Sequence, residues 1–305
     1  MSITRKIYRV LNALVRRSRW FNEEIFPGCN KLLKYNTFNT KVINLGSTSS
    51  CYAFDYSGLP VKGANFALPH NPLMGDEAIL KNYFGYLDPN ESHVIISLCV
   101  FSSLAGSYDI DDDRYYLLLY PSSIPHFSYR RQQRVKQFAY KPFRYFPMFA
   151  FFGEFRRFSP KKDARPMTED EMQMDAEKWI KGWMQEFSLK SFSAPLSLLN
   201  KDAVEDAVSI LNRMISFCTE RNITPTLVLP PMYHTLADKF DKDARNNLIY
   251  NMIDKLDDKS VSFLNYMDDK MFSYDRTLFK DSFLLNSKGR KLFTQLVLKD
   301  IGINN

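Results

Sequence analysis

Cysteine is scarce in this chain. The four residues Cys29, Cys51, Cys99 and Cys218 sit far apart. No CxxC or CxxxH spacing occurs, so neither a zinc ribbon nor a redox pair is expected. Buried free thiols in a reducing compartment are the plain expectation. Glycine is also sparse, 11 of 305 residues, beside 45% apolar and 15% aromatic residues. That balance excludes collagen-like repeats and global disorder, and it can bury a sizeable core. No apolar run reaches the ~18 residues that a membrane-spanning helix needs. The first 20 residues scatter arginines without the apolar block of a secretory leader, so none is expected. The expected location is cytoplasmic, with peripheral membrane contact as an option. Nothing in the sequence calls for a metal or a cofactor.

Basic charge is present but local. Residues 1–22 carry Arg5, Lys6, Arg9, Arg16, Arg17 and Arg19 and no acid. Residues 127–165 carry eleven basic side chains against Glu154 and Asp163. These stretches contribute +6 and +9 to a total of +7, so the rest of the chain is net acidic. Two patches of this kind differ from the even coat of a nucleic-acid binder. No RNP, zinc-finger or helix-turn-helix signature accompanies them, and nucleic acid is not an expected partner.

In the first patch, Ile3, Ile7, Val10, Leu11, Leu14 and Val15 recur at helical spacing, with Trp20 and Phe21 following. Such a basic amphipathic helix can lie on an anionic membrane or pack its stripe on its own domain. In the second, twelve aromatics fall between Phe127 and Phe158, among them Tyr145, Phe146, Phe149, Phe151, Phe152 and Phe155. Pro142, Pro147 and Pro160 interrupt any long helix there. Arginine with aromatic rings suits stacking on a sugar, a lipid surface or a polyanion. An inserted subdomain with a small core of its own fits the same pattern.

Elsewhere the chain alternates strand and helix. Strands are expected at 41–45, 61–68, 93–101, 224–229 and 260–266. Helices are expected at 74–87, 169–187, 202–221, 238–256 and 286–298. The run His93–Phe101 is almost continuously apolar, as in a strand buried on both faces. This alternation predicts an α/β fold, a doubly wound parallel sheet of about five strands. Residues 1–40 read as a basic helix and linker. Residues 41–305 read as the α/β domain, with an insertion over about 106–200.

In such sheets the site lies at the carboxyl ends of the strands. Two junctions there carry chemistry. Gly46 is followed by the hydroxyls Ser47, Thr48, Ser49 and Ser50, each able to serve as a nucleophile or to cap the next helix. Asp281 stands ahead of the last helix, where an acid is favourable beside the helix dipole in any case, and Asn286 is a natural N-cap.

Val42-Ile43-Asn44-Leu45-Gly46-Ser47-Thr48 resembles the first block of the SGNH/GDSL hydrolases. Asp281-Ser282-Phe283-Leu284-Leu285-Asn286-Ser287-Lys288-Gly289 resembles their last block, Asp-x-x-His-Leu-Asn-x-x-Gly. Gly63-Ala64-Asn65-Phe66-Ala67-Leu68 is similar to the block that helps form the oxyanion hole. The branch most similar is the divergent one of glycan O-acetylation and cell-surface polysaccharide proteins. The resemblance implies a flavodoxin-like fold and an acyl-ester hydrolase or O-acyltransferase acting on a carbohydrate. It implies Gly46 and Asn65, with His70 and Asn71 nearby, around the pocket, and Asp281 as the orienting acid.

The departures concern the chemistry itself. A triad needs a hydroxyl, a base and an acid that holds the base. The family serine position holds Thr48 and the histidine position holds Leu284. Leucine cannot carry a proton, and loss of a triad base costs about 10⁴–10⁶ in rate. His234 is a candidate substitute base after a strand end, His70 another, and Ser47 or Ser49 can replace Thr48. The alternative is a catalytically inactive SGNH-fold protein that binds a glycan or lipid-linked partner at a membrane surface. From the sequence, Thr48→Ser with Leu284→His is expected to rebuild an esterase.

Overall fold

The computed structural model describes residues 3–106, 112–124, 126–147 and 165–303. Its chain forms two compact units. The first takes Met1–Asn36 with Asp111–Lys162, and the second takes Thr37–Ile110 with Asp163–Asn305. Five strands are present: β1 (Val42–Gly46), β2 (Gly63–Asn65), β3 (Ser92–Ser97), β4 (Ile223–Leu229) and β5 (Ser262–Asn265). The longer helices are α1 (Ile3–Val15), α2 (Leu73–Tyr83), α3 (Tyr129–Tyr140), α4 (Glu169–Glu186), α5 (Leu198–Thr219) and α6 (Ser287–Asp300).

The second unit is an α/β fold. All five strands pair in parallel, in the order β2-β1-β3-β4-β5. Strand order reverses between β1 and β3, which opens a crevice at their carboxyl ends. Every residue of β1 is buried, and all but His93 of β3. Val42, Ile95 and Val228 share one core cluster with Phe293 and Val297 of α6. Alternation turns Ile43 and Leu45 to the other side, where α2 packs on β1 and α5 packs on β4 and α2. Helices thus cover both faces, as a parallel sheet requires.

Four expectations need correction. The strand expected over 61–68 is only Gly63–Asn65, because Asn65 Oδ1 accepts from Ala67 N and turns the chain. The strand expected over 93–101 ends at Ser97. Leu98 still donates its amide to Val228 O (2.8 Å), but Cys99 then donates to Ser102 Oγ (2.9 Å) and the chain turns. Leu98, Val100 and Phe101 are apolar because they are buried over the sheet end, not because they belong to it. The helix expected over 238–256 is instead broken into short pieces. One ends at Ala237, and Asp241 caps the next by accepting from Ala244 N (2.8 Å). A π turn at Asn246–Tyr250 follows. Helix α5 begins at Leu198, four residues before the expected start, because Ser197 caps it through Asn200 N (3.2 Å).

The first unit is held by aromatic packing. The Trp20 ring lies 5.3 Å from Phe146 and 5.9 Å from Phe138, and Phe26 lies 6.0 Å from Phe138. Trp20 and Phe21 are therefore core residues and not exposed ends of an amphipathic helix. Along α1, only Val15 of the expected apolar stripe is buried. Ile3, Ile7, Val10 and Leu14 are 79%, 52%, 59% and 40% exposed. The aromatic positions Phe149, Phe151, Phe152, Phe155 and Phe158 lie outside the described residues.

Candidate functional site

The Gly46–Ser50 loop sits at the switch point. Gly46 has a φ of +129°, and a Cβ there would stand 2.5 Å from Ser97 O and 2.7 Å from the Ser50 Cβ. Only glycine meets both demands. Its amide donates to the buried Asp76 Oδ1 (3.0 Å), which also accepts from Asn71 Nδ2 (2.6 Å). Asn71 is thus a strut beneath the loop. Its amide group is directed at Asp76 rather than left to receive a ligand.

The four hydroxyls have different fates. Ser47 holds the N-cap position of the short helix Thr48–Cys51, but its side chain makes no capping bond. Thr48 Oγ1 accepts from His70 N (3.1 Å), and His70 stands at a left-handed φ of 54°. Ser50 Oγ donates to Leu45 O (2.8 Å) and accepts from Asn44 Nδ2 (2.9 Å). Ser49 Oγ is buried with no hydrogen-bond partner, as is Ser97 Oγ at the end of β3. Asn65 is fully committed. Its amide nitrogen donates to Ser50 O, Cys51 O and Phe54 O, and its Oδ1 accepts from Asn44 Nδ2 and Ala67 N. It ties β2 to the loop and has no donor left for an oxyanion.

The second junction is closed on itself. Asp281 Oδ1 accepts from Phe283 N (3.0 Å) and Leu284 N (2.8 Å). Leu284 is buried, 4% exposed, at the end of that turn. Ser282 donates both its amide (3.0 Å) and its hydroxyl (2.6 Å) to Asp175 Oδ2 of α4. Asn286 caps α6 by accepting from Lys288 N and Gly289 N, both at 3.0 Å. Gly289 is required here too, since a Cβ would stand 2.1 Å from Leu278 O.

Burial pushes the Asp281 carboxyl up to about 6, and Asp175 adds to the rise, while the Phe283 and Leu284 amides and Lys280 pull it down. The ordinary value is 3.8, so the folded chain holds this proton more tightly than the unfolded one. The stability this group contributes is full below about pH 4 and is lost as pH rises through about 6. Asp281→Asn keeps an Oδ1 acceptor for both amides and removes the buried charge. We expect it to raise stability at pH 7.5 by ~1–2 kcal/mol and to leave it unchanged at pH 4. Urea titrations at the two pH values measure this. A loss at pH 7.5 would show that the charge itself holds the turn.

His234 makes its contacts outside the hydroxyl loop. Its Nε2 lies 3.0 Å from Glu169 Oε1 in the first turn of α4, and its ring stacks on Tyr274 at 4.9 Å. Tyr233 OH donates to the other Glu169 oxygen (2.6 Å). Among the described residues, no histidine ring hydrogen-bonds to Ser47, Thr48, Ser49 or Ser50. The structure therefore brings Thr48 to the backbone of His70, and Asn65 to Ser50. Among the described residues it hydrogen-bonds no histidine ring to the loop.

Aromatic side chains fill the space above the crevice. Phe101 packs on Trp183 (4.8 Å), Phe187 (5.1 Å), Phe192 (5.4 Å) and Phe240 (6.1 Å). Phe283 lies 5.1 Å from both Trp179 and Trp183 of α4. The cavity left between Ser49, Cys99, Pro230 and Phe283 measures about 10 Å³. That is close to the least space that holds one water, and far below the ~300 Å³ of a small-molecule pocket. Sequence reasoning missed Asp175, Glu169 and this aromatic cover. The cover was legible only as the Trp179 and Trp183 pair at i, i+4. No three His, Cys, Asp or Glu side chains gather to hold a metal among the described residues. No protein-family model matches the chain, and no curated protein is significantly similar to it.

Proposed function

We propose that this is a catalytically silent α/β protein of SGNH type that works at an anionic membrane surface, where it binds a glycan or lipid-linked partner. The observation that carries the reading is the stripe of α1, with Ile3, Ile7, Val10 and Leu14 all exposed. At ~100° per residue, the exposed Lys6 lies beside that stripe, and the exposed Arg17 follows the helix end. Burying an apolar side chain is worth ~1.5–3 kcal/mol, and each cation near an anionic leaflet adds ~1 kcal/mol. Together these suffice for reversible attachment. Among the described residues no helix is long and apolar enough to cross a membrane. The buried Leu284 and the filled crevice support the silence of the α/β unit.

Co-sedimentation of the full chain with phosphatidylglycerol vesicles tests the reading. Binding is expected at low salt, weakening as salt screens the charges. Ile7→Glu with Val10→Glu is expected to lower it by ~tenfold or more. No binding at low salt would overturn the membrane role.

One observation favours a second reading, an O-acyltransferase or esterase with an altered triad. The buried hydroxyl of Ser49 has no partner, and Ser49 lines a small void at the switch point. In that reading Ser49 is the nucleophile, and the aromatic cover moves to admit the acyl group.

A further inference from the structure

Within the first unit, α1 and the segment Tyr140–Phe146 enclose an open cleft of about 1270 Å³. Its walls carry Arg5 and Arg9 from the helix and Arg16 just past its end, with Lys141 and Arg144 opposite, and among the described residues no acidic side chain lines it. The cleft is preformed. Asn12 Oδ1 accepts from Phe143 N (3.0 Å), and Tyr8 meets Phe143 edge-on at 6.0 Å. Arg16 Nη1 donates to Tyr140 O (3.2 Å) at the end of α3, which fixes one wall. Arg5, Arg9, Lys141 and Arg144 enter no ion pair among the described residues.

Five like charges held around one cavity repel one another unless an anion lies between them. Arginine forks match the oxygens of phosphate groups in particular. Tyr8 and Phe143 add aromatic surface at the floor. We propose that this cleft binds a small ligand carrying at least two clustered phosphate groups. A soluble diphosphate and the diphosphate headgroup of a lipid share this chemistry. The geometry of α1 favours the soluble one. At ~100° per residue, Arg5 and Arg9 lie ~150° around the helix from the exposed stripe. A leaflet that receives Ile7 and Val10 therefore faces away from the cleft. This proposal does not rest on the membrane reading, and each can fail alone.

The test is calorimetric titration of the full chain with inorganic pyrophosphate and, separately, orthophosphate. Pyrophosphate is expected to bind at least ~tenfold more tightly, because two groups share one cluster of cations. Arg9→Gln with Arg144→Gln is expected to weaken it by ~tenfold or more, while Lys6→Gln with Arg17→Gln, the same charge loss outside the cleft, changes it less than ~twofold. Far-UV circular dichroism and melting of both variants report that they fold. Equal weakening by the two pairs would overturn the site in favour of diffuse surface charge. Pyrophosphate no tighter than orthophosphate would overturn it as well. Vesicles doped with a prenyl diphosphate separate the two sources: binding to these without binding of free pyrophosphate would overturn the soluble ligand.

Discussion

Phe101→Ala is expected to destabilise the α/β unit by ~3–5 kcal/mol, the cost of emptying a phenylalanine site in a core. Phe101 is 3% exposed and touches four rings from α4 and the segments that follow it. Its removal leaves a void against Trp183, Phe187, Phe192 and Phe240 above the sheet end. Equilibrium urea unfolding measures the change through the midpoint. Met271→Ala is the exposed control, 57% accessible, where a change within ~0.5 kcal/mol is expected. A loss under ~1 kcal/mol at Phe101 would show that the aromatic cover is loosely held. The crevice beneath it would then be accessible, and the altered-triad reading would gain. The size of this effect therefore bears on function and not only on stability.

The sheet was largely legible because its strands obey one simple rule. Val42–Gly46 and Ile223–Leu229 are short, apolar and bounded by turn residues, and burial on both faces leaves little else they can be. Helix α5 repeats Val204, Ala207, Leu211 and Met214 along one stripe, and Asn286 caps α6 as its chemistry dictates. The failures share a cause. Leu98 to Phe101 are apolar because of tertiary cover, and burial alone cannot tell a strand from a packed turn; over Asp238 to Leu256 the helical spacing of the apolar residues hides the break at the Asp241 cap. The site was less legible than the fold. Asn65, Asn71 and Asp281 are polar residues at junctions, and only their hydrogen-bond partners reveal them as struts. Asp175 and Glu169, the partners of Ser282 and His234, lie 107 and 65 residues from them. No local pattern could pair them.

The sequence alone expects Thr48→Ser with Leu284→His to restore an esterase, but the crevice argues that these two changes are not enough. A histidine at 284 can reach the Asp281 carboxylate, whose Oδ1 already holds the turn through the Phe283 and Leu284 amides. The cavity beside Ser49 still measures about 10 Å³, where no acyl group fits. Phe283 forms one wall of that cavity and leans on Trp179 and Trp183. Phe283→Ala opens the space at a cost of ~3 kcal/mol or less, since Phe283 is only partly buried. We therefore expect no labelling by a fluorophosphonate in the native chain or the double variant, and measurable labelling in the triple variant. Hydrolysis of a chromogenic acetate should follow the same order. Rebuilding nucleophile, base and acid together is worth ~10³-fold or more over any single change, because the three act as a unit. Labelling of the native chain at Ser49 would overturn the silent reading and install the second one. A folded triple variant that stays unlabelled would place the loss deeper, in Asn65, whose amide already serves Ser50, Cys51 and Phe54 and has no donor left for the oxyanion.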